Sequence, residues 1–181
     1  MDDLDRAEAA NAGRAIPRKA VQLGSMTTDF LARDQELMRA AMAEARAAEA
    51  DGEVPVGAII VSAVGEVIAR GANRVLRDSD PTAHAEIVAL RAAGSALGNY
   101  RMLGCTLYST LEPCSMCAGA ILHARLARLV YAAADPKAGG CGSVIAVMNH
   151  PALNHRVEVV EGVLADECGK MLTDFFRAKR T

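Results

Sequence analysis

The sequence has no tryptophan, and aromatic residues make up only 3% of its 181 residues. Hydrophobic residues nevertheless account for 51% of the chain, so its core must consist mainly of Ala, Val, Leu, Ile and Met. Charged residues supply a further 23%, and this balance excludes a disordered or fibrous protein. A chain of this length is expected to form one domain with a core of its own.

Several other features are missing. No apolar run approaches the ~20 residues that span a bilayer, so we expect no membrane partner. The first residues, "MDDLDRAEAA", are acidic and lack the apolar stretch of a signal peptide. Five cysteines are an odd number for a disulfide framework. The net charge of −2 does not advertise nucleic-acid binding, although a local basic patch stays open. These absences predict a reduced, cytoplasmic protein.

Composition divides the chain once. Residues 1–27 mix Ala, Gly, Arg and Asp with neither helical nor strand periodicity. We interpret this segment as a disordered N-terminal extension, a start placed too far upstream or a cloning remnant. Residues 28–181 are predicted to form a single domain.

Within that domain, the hydrophobic pattern alternates between strand and helix periods. A first helix is predicted from Thr28 to a stop at Gly52, and a second over residues 80–94, with Asp80 as its cap and Pro81 in its first turn. Two further helices are expected at 114–126 and 163–180. Five strands are predicted at 56–61, 66–71, 105–110, 128–133 and 156–162. This alternation indicates a layered α/β domain.

The stretch "TLEPCSMCAGA" (110–120) places Cys114 and Cys117 three residues apart at the start of a predicted helix. A redox dithiol, half of a metal site and two buried thiols all fit this pair on its own. Residues three apart share one helical face, so the two sulfurs can bind one ion. The positive end of the helix dipole would stabilise both thiolates.

A second motif favours metal. His84 and Glu86, in "PTAHAEIVAL" (81–90), open the preceding helix in the same strand-to-helix setting. Three protein ligands with one open position are typical of catalytic zinc, whereas four would close the site. Glu86 stands two residues from His84 and therefore does not share its helical face. That spacing favours an acid–base residue over a fourth ligand.

"HAE" (84–86) followed by "PCSMC" (113–117) matches the H-x-E…P-C-x-x-C signature known for the zinc-dependent nucleoside and nucleobase deaminases. From about Met26 to its end, the chain more specifically resembles the bacterial tRNA-specific adenosine deaminases. The segments that carry the resemblance are "EVPVGAII" (53–60), "DPTAHAEIVALR" (80–91), "TLYSTLEPCSMCAGAILHAR" (106–125), "DPKAGGCGS" (135–143) and "DFFRAKR" (174–180).

The resemblance implies a cytidine-deaminase-like fold, in which three α/β/α layers enclose a mixed five-stranded sheet. It also implies hydrolytic deamination of adenosine to inosine at the wobble position of a tRNA anticodon, with tRNA-Arg as the expected substrate. His84, Cys114 and Cys117 would hold one Zn²⁺ per subunit. Water activated by this zinc would attack C6 of adenine, and Glu86 would shuttle the protons.

The same resemblance assigns substrate contacts. Asn73 would contact the purine edge, the backbone N–H of Ala85 would face the reacting centre, and Asp135 would lie near the ribose. Phe175 and Phe176, beside basic residues of the last helix, are candidates for stacking on bases of the anticodon stem-loop. A homodimer is also implied, and the small residues Ala118, Gly119 and Ala120 would permit close helix approach.

Two rival functions stay open at this point. The first is a deaminase of free cytosine, guanine or a nucleotide, against which the "DPKAGGCGS" and "DFFRAKR" segments argue. The second is a non-catalytic zinc module that binds RNA or a protein. Glu86 separates these classes, because a purely structural zinc site needs no positioned carboxylate.

Overall fold

The structure is a computed structural model that describes the backbone of residues 23–180 and the side chains of residues 31–180. Helix α1 spans Leu23–Ala50 and therefore begins ahead of Thr28, the predicted start of the domain. The rest of the predicted N-terminal extension, residues 1–22, lies outside the described residues.

Five strands form one mixed sheet with the order β2-β1-β3-β4-β5. β1 pairs with β2 and β3 in antiparallel fashion, whereas β3, β4 and β5 run parallel. The bounds of the strands agree with the predicted ones to within two residues and are, in chain order, Gly57–Val61, Val67–Ala72, Thr106–Leu111, Arg128–Ala133 and Glu158–Glu161.

Helices cover both faces of this sheet. The central strands are buried on both sides, and their side chains alternate between two apolar clusters. In β1, for example, Ile60 faces one cluster and Ile59 the other. α1 and the start of α5 pack on one face, and α3 and α4 on the opposite face. After α1, the helices are α2 (Val75–Asp78), α3 (Ala85–Leu97), α4 (Ser115–His123) and α5 (Ala165–Ala178). The predicted three-layer α/β/α fold with a five-stranded mixed sheet is confirmed.

The predicted start of α3 was wrong. Asp80 does not cap this helix; its carboxylate instead accepts hydrogen bonds from the backbone N–H (2.8 Å) and hydroxyl (2.7 Å) of Thr82, which closes a separate turn. His84 is the residue before the helix, and its extended backbone (φ −65°, ψ 152°) starts the helix at Ala85. The Asp80-Pro81 pair therefore marks this turn and not the start of the helix.

The sheet brings the chain's polar motifs to one edge. β3 and β4 are parallel, so their carboxyl ends, which lead to Cys114 and Asp135, lie at the same edge. β1 is antiparallel to β3, so the start of β1 and the end of β2, just before Asn73, reach this edge as well. Gly71 lets the first turn of α3 pack closely on β2, because a Cβ at this position would lie 2.6 Å from the backbone nitrogen of Ala89.

Two of the predicted absences can be compared with this part of the chain. None of the described helices is both long and apolar enough to cross a membrane. All five cysteines are free thiols.

Candidate active site

The two sequence motifs meet at the starts of α3 and α4. His84 and Cys114 each occupy the position just before a helix, and Cys117 lies in the first turn of α4. His84 Nδ1 lies 3.6 Å from each of the two sulfurs. These three residues form a His/Cys/Cys group whose ligand atoms all lie within 4.8 Å of one another.

The spacing of this group suits zinc. A tetrahedral ion with Zn–S near 2.3 Å and Zn–N near 2.05 Å requires an S-to-N separation of about 3.6 Å. Both S-to-N distances in the structure have this value. The donor set also suits zinc, which accepts thiolate and imidazole ligands together. Three ligands leave the fourth tetrahedral position open.

The electrostatics of the group favour a cation. Hydrogen bonds from Cys117 and His84 lower the pKa of the Cys114 thiol to about 3. Conversely, the pKa of Cys117 is raised because its thiol donates to Cys114 and is buried. Without metal, Cys117 therefore holds a proton that a cation must displace, and metal binding should release it.

Glu86 lies beside the ligands without belonging to the His/Cys/Cys group. Its side chain is almost fully buried in the first turn of α3, next to the Cys117 thiol. Burial raises the pKa of the Glu86 carboxyl to about 7, although its own backbone N–H and His84 oppose the shift. A carboxyl group that titrates near neutrality is well matched to accepting and returning protons.

One cavity of about 530 Å³ opens above these groups. Its lining includes the candidate metal ligands His84 and Cys114 and the predicted proton carrier Glu86, whereas Cys117 is buried behind them. All of the residues predicted to contact substrate also line it, namely Asn73, Ala85, Asp135, Phe175 and Phe176. Ala85 is the first residue of α3, so its N–H has no acceptor within the helix.

The structure adds a residue that the sequence did not single out. Glu53 lines the cavity with only 1% of its surface exposed. Its Oε2 accepts a hydrogen bond from Asn73 Nδ2 at 3.2 Å, and its Oε1 accepts one from the Arg77 backbone N–H at 2.8 Å. A glutamate between Gly52 and an apolar strand was the available signal, but its partners lie 20 and 24 residues away.

A second such carboxylate holds the loop that carries Asp135. Glu112 is 1% exposed and accepts hydrogen bonds from the backbone N–H groups of Asp135 (3.0 Å), Cys141 (3.0 Å) and Ser143 (3.1 Å), and from the Ser143 hydroxyl. Gly139 makes room for this contact, since a Cβ there would meet the Glu112 carboxylate. Glu112 thus fixes the loop of residues 135–143, called the glycine loop below, against the start of α4.

Asp135 itself is partly engaged by its own loop. Its Oδ1 accepts hydrogen bonds from the backbone N–H groups of Lys137 at 2.9 Å and Ala138 at 3.2 Å. Among the described residues, none donates a hydrogen bond to the other oxygen, Oδ2. The predicted sugar contact would therefore use this second oxygen.

The end of α5 forms the outer wall of the cavity. Phe175 is buried and Phe176 is 46% exposed, and their rings meet edge to face at 5.4 Å. A groove of about 830 Å³ adjoins the cavity at Phe176 and Asp135 and is also lined by three basic residues, Lys137, Arg177 and Arg180. Lys170 and Arg177 both pair with Asp174, so Lys137 and Arg180 are the basic side chains most available to a phosphate. The local basic patch left open by the composition is therefore present beside the cavity.

Comparison with known proteins agrees with this geometry. The family model for the cytidine and deoxycytidylate deaminase zinc-binding region matches residues 31–133. The tRNA-specific adenosine deaminase of Haemophilus influenzae is 50% identical over 147 residues, which cover 81% of this chain and 85% of the relative. The enzyme of the same name from Bacillus subtilis is 45% identical over 150 residues, covering 83% and 92%, respectively.

A solved structure extends the likeness to three dimensions. It comes from a study of A-to-I editing by tRNA:A34 deaminases at the wobble position of transfer RNA. It superposes with a TM-score of 0.72 at 45% identity, over 75% of this chain and 98% of the solved chain. The zinc-region match covers more than half of this sequence, and the relatives are matched over most of their length. The chain therefore belongs to the tRNA-specific adenosine deaminases, within the cytidine and deoxycytidylate deaminase superfamily.

Proposed function

We propose that this protein hydrolyses adenosine to inosine at the wobble position of a tRNA anticodon, with tRNA-Arg as the predicted species. The observation that carries the proposal is a buried Glu86 beside a three-ligand His/Cys/Cys group at the base of one cavity. Relatives named tRNA-specific adenosine deaminase support the choice of substrate.

Glu86 is proposed to carry the protons of the reaction. Water adds to C6 of adenine and ammonia leaves, so one proton must move from the water to the ring nitrogen and another to the departing amine. Glu86 accepts the first from the water and delivers protons to the purine, and burial, which raises the pKa of its carboxyl, suits it to both steps. One zinc per chain, held by His84, Cys114 and Cys117, would supply Lewis-acid activation of the water.

The remaining cavity residues are proposed to hold the nucleotide. The Asn73 amide would hydrogen-bond the purine edge, and the free N–H of Ala85 would face the reacting carbon. Asp135 Oδ2 would accept a ribose hydroxyl, which distinguishes a nucleotide from a free base. Phe176 offers an exposed ring on which a neighbouring base can stack.

RNA is favoured over a small substrate by what adjoins the cavity. The groove lined by Lys137, Arg177 and Arg180 is proposed to bind phosphates that flank the target nucleotide. An anticodon loop is already single-stranded, so the cost of extruding the base is small.

Glu86→Ala tests the chemistry separately from the metal. Single-turnover deamination of an anticodon stem-loop should fall by about 10²–10⁴-fold or more, because Glu86 serves several proton transfers. Zinc content and RNA binding should stay close to those of the unaltered protein. Loss of zinc would show that Glu86 is a ligand, and near-normal deamination would show that another residue carries the protons.

Total tRNA tests the substrate. Incubation with the protein should produce A-to-I changes at the wobble position, detected by sequencing, and little product should form from free adenosine or cytidine. Turnover of a free nucleoside without any change in tRNA would instead support the small-molecule rival.

The metal is tested by elemental analysis. One zinc per chain is expected in the purified protein, and the Cys114→Ala/Cys117→Ala double variant should contain almost none. A zinc content unchanged by this double substitution would contradict the assigned ligands.

A homodimer is proposed from the surface beside α3 and α4. A shallow apolar groove of about 390 Å³ lies between these helices. Tyr100, which lines this groove, is 66% exposed, and Leu103 nearby is 70% exposed. Gly119 leaves open space outside α4, although Ala118 is buried in the core. Light scattering should give twice the chain mass, and a monomer at micromolar concentration would refute this assembly.

A further inference from the structure

We infer that Glu53 is a positioning residue that sets which atoms of the Asn73 amide face the substrate. This inference rests on the proposed function and deepens it. Neither residue belongs to the metal group, but both line the cavity and both are buried, with 1% and 7% of their surfaces exposed.

The hydrogen bonds of Glu53 leave the Asn73 amide one orientation. A carboxylate only accepts hydrogen bonds, so the amide nitrogen of Asn73, and not its oxygen, must face Glu53 Oε2. The other carboxylate oxygen is occupied by the Arg77 backbone N–H at 2.8 Å. Glu53 is therefore held in place by a donor that cannot rotate, and it in turn holds the Asn73 amide at 3.2 Å.

This orientation leaves a defined pair of atoms for the ligand. One N–H of Asn73 is used by Glu53, which leaves the second N–H as a donor and Oδ1 as an acceptor. No residue among 31–180 donates a hydrogen bond to Asn73 Oδ1. Because this atom is not among the buried atoms that lack a partner, it is accessible from the cavity. A donor beside an acceptor complements N7 and the N6 amino group of adenine, the pairing by which Asn typically recognises this base.

The opposite orientation of the Asn73 amide would place like groups against adenine at both contact atoms. If the amide turned over, Oδ1 would face the N7 acceptor and the NH₂ group would face the N6 amino group. Guanine, with acceptors at both O6 and N7, would keep one matched contact in either orientation. A carboxylate at position 53 thus favours adenine specifically.

Glu53→Gln should turn the amide over without altering the shape of the site. Glutamine has one acceptor oxygen, and the immobile Arg77 N–H needs it, so the glutamine NH₂ group must face Asn73. The Asn73 side chain can satisfy that donor only by presenting Oδ1 to it. We expect kcat/KM for the anticodon stem-loop to fall about 10- to 100-fold, chiefly through KM.

A double-mutant cycle tests whether Glu53 acts through Asn73. In an Asn73→Ala background, Glu53→Gln should cost little more than Asn73→Ala alone. A stem-loop with 7-deazaadenosine at the target position should likewise lose less in the Glu53→Gln variant than in the unaltered protein. If the fold-losses in kcat/KM from the two changes simply multiply in either comparison, the two changes act independently and the inference is overturned.

The order of two substitutions separates positioning from packing. Glu53→Ala removes the acceptor that orients the Asn73 amide but adds no donor that would turn it over. When kcat/KM is expressed per zinc-loaded chain, it should therefore fall less in Glu53→Ala than in Glu53→Gln. A packing role predicts the reverse order, because alanine leaves the larger void, and that result would also overturn the inference.

Asp51→Asn is a matched control, since Asp51 is 58% exposed and contacts Arg77 only through its side chain. Absence of editing by the unaltered protein would overturn the proposed function and this inference together, whereas normal editing with multiplicative losses would overturn the inference alone.

Discussion

Replacing Glu112 with glutamine should destabilise the glycine loop without removing any bulk. Glu112 Oε1 accepts the backbone N–H groups of Cys141 and Ser143, and Oε2 accepts the backbone N–H of Asp135 and the Ser143 hydroxyl. A glutamine oxygen can keep the first two contacts. Its NH₂ group would then face the Ser143 hydroxyl, which can turn to accept, and the Asp135 N–H, which cannot.

The expected cost follows from this count. The Asp135 N–H is partly buried, and leaving it without an acceptor costs at most about 1–3 kcal/mol. For a protein of this size, that loss lowers the melting temperature by about 2–12 °C. Glu112→Ala removes the acceptor for all three backbone donors, of which only the Cys141 N–H is fully buried, so its cost should exceed that of glutamine and stay below roughly 9 kcal/mol. A loss near that limit approaches the whole stability of a typical domain, about 5–15 kcal/mol.

Thermal unfolding of the zinc-loaded protein, followed by circular dichroism, measures this effect. Hydrogen exchange should report faster exchange at Asp135, Cys141 and Ser143 in the glutamine variant, because their acceptor is lost or weakened. Glu66→Gln is the matched control, since Glu66 is exposed in a turn. A melting temperature unchanged by Glu112→Gln would refute the assignment of Glu112 as the anchor of the loop.

The same contacts predict a dependence on pH. Burial favours the neutral form of Glu112, but hydrogen bonds from Ser143 and from the loop amides outweigh it and lower the pKa below its ordinary value of 4.5. A carboxyl whose pKa is depressed by folding stabilises the protein above its unfolded pKa. This stabilisation should therefore be lost as the pH falls below 4.5 through the lower folded value. The glutamine variant should show a shallower loss of stability over that acidic range.

Three further predictions concern other parts of the molecule. Asp34→Asn should lower the free energy of unfolding by about 1–3 kcal/mol in urea, because the two 2.8 Å contacts between its carboxylate and Arg128 lose their charge. Gly71→Ala should lower both stability and zinc content, since its Cβ would meet the backbone nitrogen of Ala89; unchanged melting would contradict the close contact. Arg180→Ala should reduce the slope of log Kd for the stem-loop against log salt concentration by about 0.7, and an unchanged slope would exclude a phosphate contact by that side chain.

The metal group could be predicted from the sequence because each half of it is local. Cys114 and Cys117 are three residues apart, and His84 and Glu86 are two apart, so the spacing is enough to propose Glu86 as a proton carrier and not as a ligand. Both halves also lie at the starts of helices, although α2 intervenes between β2 and α3. What the spacing could not predict was the boundary at Ala85, because the Asp80 carboxylate closes a turn of its own before the helix begins.

The carboxylates that shape the cavity could not be predicted in this way. Glu53 and Glu112 bind partners 20–31 residues away in the chain, and their proximity depends on the order and direction of the strands. Both lie in segments that carry the family resemblance, but neither is part of the H-x-E…P-C-x-x-C signature, and a glutamate is more often found on the surface. Their only signal is position: Glu53 precedes an apolar strand, and Glu112 follows one directly before Pro113.

This difference has a consequence for how the site can change. The His/Cys/Cys group needs only that the starts of α3 and α4 meet, and Gly71 and the apolar core between the helices secure that. The substrate side depends instead on two buried acceptors, which orient Asn73 and hold the glycine loop. An ionised carboxylate only accepts hydrogen bonds. Replacing Glu53 or Glu112 by glutamine therefore turns one of the two acceptor oxygens into a donor without changing the volume of the side chain. Substitution of Glu53 should therefore alter which nucleotide is accepted while zinc stays bound, whereas substitution of Glu112 should loosen the loop that carries Asp135. Substitutions at the proposed metal ligands should abolish turnover of every nucleotide alike.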